Sequence, residues 1–420
     1  MHSAGDRKQI YSWSMYDWAN SAYATTVMAG FFPIFFKQYW SAGADVTDST
    51  FHLGLANSLA SLVIAALAPL LGAVADRAGA RKKFLLIFGL LGVVMTGSLY
   101  FVQRGDWVAA TALYVLASVG FLGGNIFYDA LLVNVARRDQ RDRVSSLGYA
   151  LGYLGGGLLF AVNVWMTLQP QRFGLADAAE AVRLSFVCVA LWWAVFALPL
   201  LIFVNEPRDN ELHFGLAAIS QGLRQFRQTF HEIRQLRLVW LFLIGYWLYI
   251  DGVDTIIVMA VDYGMSLGFD SNSLIIALLI TQFVGFPAAL VFGRLGERMG
   301  SKISILLAIA VYVGVTLWAY QMSSVSEFYA LAVTVGLVQG GIQALSRSMY
   351  SRLIPQDKSA EFFGFYNMLG KFAAVLGPLL MGWVGVISGS PRVAILSLIV
   401  LFAAGAALLW LVKEQQVMSP

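Results

Sequence analysis

Two loops with a shared sequence pattern decide the fold: GAVADRAGARKK at positions 72–83 and GRLGERMGSK at positions 293–302. Five positions match without a gap at one constant offset, namely Gly72 with Gly293, Asp76 with Glu297, Arg77 with Arg298, Gly79 with Gly300, and Arg81 with Lys302. Such a match between two distant loops indicates an internal duplication of the chain.

Each of these loops follows an apolar run that is long enough to cross a bilayer. Hydrophobic residues make up 59% of the 420 residues and charged residues only 12%, whereas a soluble domain is about 45–50% apolar and about 25% charged. A membrane-spanning helix needs about 20 mainly apolar residues. Suitable runs lie at 12–36, 51–75, 84–102, 108–134, 144–168, 184–204, 238–261, 272–293, 302–321, 328–350, 361–387 and 392–412. Because the runs are continuous and do not alternate, they predict helices rather than a barrel.

The duplicated loops follow the second and the eighth run, so the repeat unit contains six helices. We predict an all-α membrane protein with twelve transmembrane helices in two pseudo-symmetric six-helix bundles, at 1–204 and 238–420. The segment between them, 205–237, has apolar residues at every third or fourth position with arginines between them. This pattern predicts an amphipathic linker helix on the membrane surface. A regulatory helix that binds a partner is the alternative interpretation.

Lysine and arginine residues fall mainly on one side of the predicted helices. That side receives the N-terminal residues Arg7 and Lys8, the basic clusters after the second and fourth runs, and the linker. By the positive-inside rule both termini are predicted to be cytoplasmic, with a bacterial plasma or inner membrane favoured. The net charge of +4 is then a feature of topology, and we expect no nucleic-acid partner.

Several classes of site are missing from the sequence. The one cysteine, Cys188, excludes a disulfide within the chain and a cysteine-pair metal site. The four histidines lie at or outside the ends of the predicted helices, which argues against a histidine proton relay. No phosphate-binding Gly-x-x-x-x-Gly-Lys-Ser/Thr loop occurs, nor do the paired histidines or the serine with a base that an intramembrane enzyme needs. We therefore predict no enzymatic activity, no metal and no cofactor.

The duplicated loop resembles the Gly-x-x-x-Asp-Arg-x-Gly signature of the major facilitator superfamily, although Ala80 replaces the usual first basic residue. Four further stretches are similar to the vacuolar amino-acid effluxer group linked to autophagy in fungi and to its bacterial relatives: YDWANSAY (16–23), YIDGVDT (249–255), QGGIQALSRSMYSRLIP (339–355) and EFFGFYNMLGKFAAVLGP (361–378). The resemblance covers the whole chain. It implies two six-helix bundles around a central cavity, lined by the first, fourth, seventh and tenth helices, and transport by alternating access.

Polar residues are concentrated in those four helices. Ionisable groups inside the membrane are costly and are candidate functional groups. The candidates for binding the solute or a proton are Tyr16, Asp17, Asn20, Asn125, Tyr128, Asp129, Asp251, Asp254, Gln343 and, in the eleventh run, Lys371. The candidates for a gate at the cytoplasmic side are Asp76, Arg77, Arg81, Glu297, Arg298 and Arg347.

Some of these residues also have a structural interpretation. Asp17 and Arg347 lie near predicted helix ends, where either can cap a helix or pair with a loop charge. Asp129 is expected to pair with Arg77 or Arg137 and so to close a gate.

The two carboxylates of the seventh run are the candidates for carrying a proton. Asp251 and Asp254 are predicted to lie near the middle of the membrane with no base on their own helix. A desolvated carboxylate binds a proton more tightly, and a nearby cation such as Lys371 favours its release. Either aspartate is therefore expected to couple transport to a pH gradient.

These features together favour a secondary active transporter for a small polar solute, an amino acid or a related amine-bearing metabolite. The solute ammonium would suit an aspartate, and the solute carboxylate would suit Lys371 or a helix N-terminus. The alternative is a lipid or lysolipid transporter on the same fold, whose cavity would open toward lipid and carry basic residues. The excess of acids over bases in the predicted core argues against an anionic cargo. The expected partners are the solute, a proton and membrane lipid, and the protein is expected to be a monomer.

Overall fold

The computed structural model describes residues 5–41, 46–206 and 231–412, and these ranges are helical almost throughout. Twelve helical segments follow one another in the predicted order. They are α1 (7–40), α2 (Val46–Ala78), α3 (Arg81–Ser98), α4 (Trp107–Val135), α5 (Arg141–Leu168), α6 (Ala178–Phe203), α7 (Arg237–Ser266), α8 (Ser271–Met299), α9 (Ser301–Gln321), α10 (Val325–Leu353), α11 (Ser359–Ser388) and α12 (Pro391–Leu396 with Leu398–Leu411). The predicted linker helix at 205–237 lies mostly outside the described residues, so the predicted domain bounds stay a prediction.

Nine of the described helices are long and apolar enough to cross a membrane on their own. Helix α2 consists of two parts, Leu59–Ala68 and Leu70–Asp76, that meet at an angle of 41°. If these two parts are counted as one span, α2 is the tenth membrane-spanning helix among the described residues. The bend lies at Pro69, and proline removes one hydrogen bond of the helical ladder.

Helix α1 is not a regular α-helix along its whole length. Residues Arg7–Ala22 are α-helical, whereas Tyr23–Phe31 and Phe36–Trp40 form wider π-helical turns. Turns of this kind are frequent at functional sites.

Helix packing repeats at an interval of six helices. In the N-terminal half α1 packs against α5 and α6, α2 against α4, and α3 against α4 and α6. In the C-terminal half α7 packs against α11 and α12, α8 against α10, and α9 against α10 and α12. The halves meet where α2 packs on α11 and α5 packs on α8. A two-fold axis exchanges these contacts, so the predicted fold of two pseudo-symmetric six-helix bundles is confirmed.

One end of the bundle carries most of the basic residues, and we call it the basic face. It is formed by Arg81, Lys82, Lys83, Arg137, Arg138, Arg141, Arg143, Arg294, Arg298, Lys302, Arg352 and Lys358. Hydrogen bonds join both ends of the described part of the chain to this face: the Gly5 N–H donates to the Val135 carbonyl at 2.9 Å, and the Lys302 side-chain Nζ donates to the Val412 carbonyl at 2.9 Å.

Candidate functional site

The Arg347 side chain lies between the two halves, close to the basic face. It extends from α10 and is only 2% exposed. Its Nη1 lies 3.0 Å from Asp129 Oδ1 in α4, and its Nη2 lies 3.4 Å from Asp17 Oδ2 in α1. A buried charge is very costly unless it is paired and hydrogen-bonded. The three charges therefore hold the two halves together at this point.

The guanidinium of Arg347 makes five hydrogen bonds to the N-terminal half. Nε donates to Ser145 Oγ at 2.9 Å, and Nη2 donates to the Ser145 carbonyl at 2.9 Å. Nη1 donates to Asp129 Oδ1 at 3.0 Å and to Asp17 Oδ2 at 3.5 Å, and Nη2 donates to Asp17 Oδ2 at 3.4 Å. A guanidinium has five N–H donors, so these contacts match its donor number. All the acceptors belong to α1, α4 and α5.

The two carboxylates have further donors that fix their position. Tyr128 Oη donates to Asp17 Oδ2 at 2.7 Å, and Asn367 Nδ2 of α11 donates to Asp129 Oδ2 at 3.1 Å. We use the name Arg347 cluster for Asp17, Tyr128, Asp129, Ser145 and Arg347. Asn367 adds a second link between the halves beside the ion pairs.

Three aromatic rings surround the same guanidinium. The Arg347 Cζ atom lies 4.9 Å from the ring centroid of Trp13, 5.3 Å from that of Tyr128 and 4.4 Å from that of Tyr149. Trp13 is held in place by a hydrogen bond from its Nε1 to the Tyr128 carbonyl at 2.9 Å. Cation–π contacts at these distances attract a cation most strongly where water is excluded.

The cluster needs a glycine at position 148 of α5. A Cβ atom there would lie 2.5 Å from Asp17 Oδ2, 2.9 Å from Tyr128 Oη and 3.2 Å from Arg347 Nη2. Gly152 and Gly155, further along α5, are equally close to α1. Small residues let helix backbones approach closely in membranes, and at position 148 this approach makes room for the ionic contacts.

A second network joins the halves through the loop that is duplicated in the sequence. Asp76 accepts hydrogen bonds from the N–H groups of Ala360 and Glu361 at 3.0 and 2.8 Å. These N–H groups belong to the first turn of α11, where a negative charge is favourable. Arg81 Nε donates to Asp76 Oδ1 at 2.7 Å, and Arg81 Nη1 donates to Asn134 Oδ1 at 2.7 Å. Asp76 and Arg81 thus connect the duplicated loop with α4 and α11, and their role in a gate stays a prediction.

The matching loop of the C-terminal half does not repeat these contacts. Glu297 and Arg298 are exposed, and neither has a hydrogen bond or ion pair with the part of the chain that the structure describes. Asp142 at the start of α5 is the acceptor there: its Oδ1 accepts from Ser301 Oγ at 2.8 Å and from Ser348 Oγ at 2.6 Å, and lies 3.0 Å from Arg352 Nη1. Because α5 supplies its own carboxylate, the equivalent loop acid points to solvent.

Asp129 pairs with Arg347, and the expected pairing with Arg137 is not formed. Arg137 lies 3.7 Å from Asp139 instead, and both of these side chains are largely exposed. The reason is that α4 continues to Val135, which places Asp129 well inside the helix and away from the loop. The side chain of Arg77 lies outside the described residues.

Near the basic face a lysine precedes α11. Lys358 Nζ donates to Glu232 Oε2 at 2.7 Å, and this contact raises the pKa of the Lys358 amine.

The two aspartates of α7 lie apart from the Arg347 cluster and differ from each other. Asp251 is 0% exposed, and its two oxygens accept from the Gly377 N–H at 3.0 and 3.1 Å. The next residue, Pro378, lacks an N–H, so Asp251 supports α11 where its helical ladder is interrupted. Asp254 is half-buried and lies one turn along α7 from Asp251. The side chain of Lys371 lies outside the described residues.

The other predicted residues surround the cluster in part. Tyr16 is buried and its ring centroid lies 5.0 Å from that of Tyr128. Asn20 Nδ2 donates to Asn125 Oδ1 at 2.6 Å, which joins α1 to α4. Gln343 is half-buried and lies one turn before Arg347 in α10.

Three residues of the site were missed by sequence reasoning, namely Trp13, Ser145 and Asn367. Serine and asparagine are common in membrane helices and give no signal alone. A signal was present in α5, where Ser145, Gly148, Tyr149 and Gly152 recur at intervals of three and four, because this spacing places them on one helix face.

An apolar cavity inside the C-terminal half is a different feature. Its described lining includes Ile256, Leu278, Val315, Phe328 and Leu398, and contains no carboxylate or basic side chain. Its polar side chains, Tyr263, Thr281 and Gln339, are uncharged, so we place the candidate site for a charged solute at the Arg347 cluster.

Replacing Asp76 with asparagine is expected to weaken the closed contact at the basic face. The amide keeps the size of the carboxylate but loses its charge opposite Arg81 and the α11 N-terminus. Hydrogen bonds to charged groups contribute about 1.5–3 kcal/mol, so the purified variant should unfold at a lower temperature. The control is Asp139→Asn on the same face, whose exposed ion pair should contribute almost nothing. Equal unfolding temperatures for the two variants would contradict this role of Asp76.

Known proteins resemble this chain over nearly its whole length. The family model described as "Vacuole effluxer Atg22 like" matches residues 42–419. The chain is 39% identical over 412 residues to the MFS-type transporter YxiO of Bacillus subtilis (strain 168), which covers 97% of this chain and 95% of that protein. It is 24% identical over 394 residues to autophagy-related protein 22 of Yarrowia lipolytica (strain CLIB 122 / E 150), covering 73% of this chain and 66% of that protein.

A solved structure with the same architecture is that of the human organic anion transporter MFSD10 (TETRAN). It has a TM-score of 0.73 and 16% sequence identity, and the match covers 97% of this chain and 100% of that chain. At this identity the likeness establishes the fold alone.

Proposed function

The chain belongs to the Atg22-like vacuole effluxer family within the major facilitator superfamily, and from this we propose that it carries a small amine-bearing solute, with amino acids favoured, by alternating access. Its relatives are transporters and not enzymes, so secondary transport is the general activity. The identity of the solute, the ion that drives transport and the orientation in the membrane are our proposals.

The observation that carries this proposal is the burial of Arg347 of one half among acceptors of the other half. Alternating access by two rocking bundles requires contacts that hold one face closed and can be broken. The Arg347 cluster, the Asp76 network and the Asp142 contacts all join the halves near the basic face. We take this arrangement as the state in which the basic face is closed.

The orientation follows from the charges. Lysine and arginine residues of short loops stay preferentially in the cytoplasm, and the basic face contains most of them. The closed face is then cytoplasmic, with both termini on that side, in a bacterial plasma or inner membrane. The protein is proposed to act as a monomer.

The chemistry of the Arg347 cluster suits a solute with both charges. An ammonium can pair with Asp17 or Asp129, and a carboxylate can make a two-pronged contact with a guanidinium. An amino acid therefore competes with the ion pairs that join the halves. A ligand shifts a conformational equilibrium only through such a difference in contacts. A lipid headgroup carrying a phosphate lacks this match, because the cluster holds two carboxylates and one arginine.

We propose that Asp254 couples transport to protons. It is half-buried within a membrane helix, whereas Asp251 has no exposed surface and binds the α11 backbone. A carboxylate that moves between wet and desolvated surroundings binds and releases a proton. We expect movement of the two halves to change the hydration of the Asp254 carboxylate in this way.

Replacing Asp254 with asparagine is expected to reduce pH-gradient-driven amino-acid accumulation in proteoliposomes to the level of empty liposomes. Exchange of labelled solute without a gradient should persist, because exchange needs no proton release. The matched control is Asp251→Asn, whose amide oxygen still accepts from the Gly377 N–H and which should retain accumulation. Full gradient-driven accumulation by Asp254→Asn would overturn its proposed role. If the wild-type protein exchanges no amino acid but moves labelled lysolipid, the lipid alternative replaces the proposed solute.

A further inference from the structure

We propose that Arg347 occupies, as an internal ligand, a cation site built by the N-terminal half, and that this site takes the guanidinium or alkylammonium group of a solute when the halves separate. The inference rests on the proposed transport function and specifies the chemical class of the solute. The site consists of Trp13, Asp17, Tyr128, Asp129, Ser145 and Tyr149.

The hydrogen bonds show that the site belongs to one half. The five donors of the Arg347 guanidinium are directed to Asp17, Asp129 and Ser145, and no acceptor among these contacts comes from α10 or another helix of the C-terminal half. When the halves separate at the basic face, the arginine leaves and its acceptors stay together. A complete set of acceptors for a planar cation remains on the N-terminal half.

The aromatic rings belong to the same half. The rings of Trp13, Tyr128 and Tyr149 lie 4.4–5.3 Å from the Arg347 Cζ atom. Aromatic rings around a positive group are the usual recognition device for cationic ligands. Trp13 and Tyr128 also stack with ring centroids 4.4 Å apart, so two of the three rings are already arranged before any solute arrives.

The charge of the site selects the sign of the ligand. Asp17 and Asp129 contribute two negative charges, and Arg347 contributes one positive charge. Without Arg347 two nearby buried carboxylates have no compensating cation from this set, which is costly. A cationic group on the solute removes that cost, and a solute without a cationic group does not.

Glycine at position 148 leaves space for such a ligand. The ideal Cβ position of Gly148 is 3.2 Å from Arg347 Nη2. The ligand group therefore enters the same narrow space that the guanidinium now fills, which favours a flat guanidinium or a slender alkylammonium.

Chemical rescue tests the inference on purified full-length protein. Arg347→Ala is titrated with millimolar methylguanidinium or agmatine while its unfolding temperature is measured, since a ligand that binds only the native state stabilises it. We expect a saturable rise with both cations and none with methylurea, which has a similar shape but no charge. The triple variant Arg347→Ala/Asp17→Asn/Asp129→Asn should show no rise.

Arg352→Ala is the matched control, because Arg352 also lies in α10 and pairs with an aspartate of the N-terminal half, Asp142, outside the Arg347 cluster. The inference is overturned if the cations do not raise the unfolding temperature of Arg347→Ala. It is also overturned if they raise that of Arg352→Ala equally, or if methylurea raises that of Arg347→Ala equally. If Arg347→Ala does not fold, the titration is made on Arg347→Gln, whose amide retains hydrogen-bonding groups, and absence of rescue there overturns it equally. A failed rescue leaves the Asp254 transport result unaffected, so the failure of this inference and of the proposed function are distinguishable.

Discussion

Replacing Arg347 with alanine is expected to lower the free energy of unfolding by about 3–5 kcal/mol, the usual cost of removing one partner from a buried ion pair. Asp17 and Asp129 would remain in a desolvated position, 12% and 10% exposed at their side chains, without the cation that now compensates both. Five hydrogen bonds between the halves would be lost together. Thermal or chemical unfolding of the purified variant in detergent measures the effect.

The control for this prediction removes the carboxylates as well. The triple variant Arg347→Ala/Asp17→Asn/Asp129→Asn contains no uncompensated buried charge in the cluster, so it should recover most of the lost stability. Coupling of this kind is expected for residues in one ion-pair network. If the three substitutions proved additive, with the triple variant less stable than Arg347→Ala, the ionic account of the cluster would be wrong.

Replacing Gly148 with alanine is expected to destabilise the protein and to lower its transport activity. The new Cβ would lie 2.5 Å from Asp17 Oδ2 and 2.9 Å from Tyr128 Oη, and both atoms are held by the cluster. Overpacking of a tight site costs about 1–3 kcal/mol, so unfolding should occur at a lower temperature. The substitution should also lower solute exchange, because Asp17 is displaced from Arg347.

Gly314 provides a matched control in helix α9. No atom of the described residues lies within 4 Å of the Cβ that alanine would add there. Alanine in place of glycine inside a helix is favourable by roughly 0.5–1 kcal/mol, so Gly314→Ala should be neutral or slightly stabilising. Equal behaviour of Gly148→Ala and Gly314→Ala would mean that the packing at position 148 is irrelevant.

The fold was predictable because its signals are local. Each membrane helix appears as an apolar run, and the duplicated loops at 72–83 and 293–302 reveal the six-helix repeat. The bend of α2 has a local cause at Pro69. The linker at 205–237 remains a prediction.

The site was predictable only in its parts. Asp17, Asp129 and Arg347 are each conspicuous as charges in apolar helices, but their pairing depends on how α1, α4 and α10 meet, which no local pattern encodes. The sequence repeat also predicted more similar contacts in the two halves than the structure has. Asp76 accepts hydrogen bonds at the start of α11, whereas its counterpart Glu297 is exposed. At the equivalent place Asp142 of α5 is the carboxylate that joins the halves. Ser145 was missed because one hydroxyl in a membrane helix is unremarkable until a partner from the other half reaches it.

The central claim is that Arg347 holds the basic face closed, and thiol accessibility tests it most directly. Ser146 lies in α5 where it meets α8, is 1% exposed, and its hydroxyl has no hydrogen-bond partner in the described part of the chain. Ser146→Cys in a Cys188→Ser background is therefore a mild reporter of opening at that face. Purified protein is exposed to a bulky polar maleimide, and the rate of cysteine labelling is measured. The rate is compared between the reporter alone, the reporter with Arg347→Ala and the reporter with Arg137→Ala. Arg137→Ala is the control, because the exposed ion pair of Arg137 with Asp139 lies within one half. We predict slow labelling of the reporter and of the Arg137 control and fast labelling once Arg347 is removed. Equally slow labelling with and without Arg347, or fast labelling while Arg347 is present, would contradict the account.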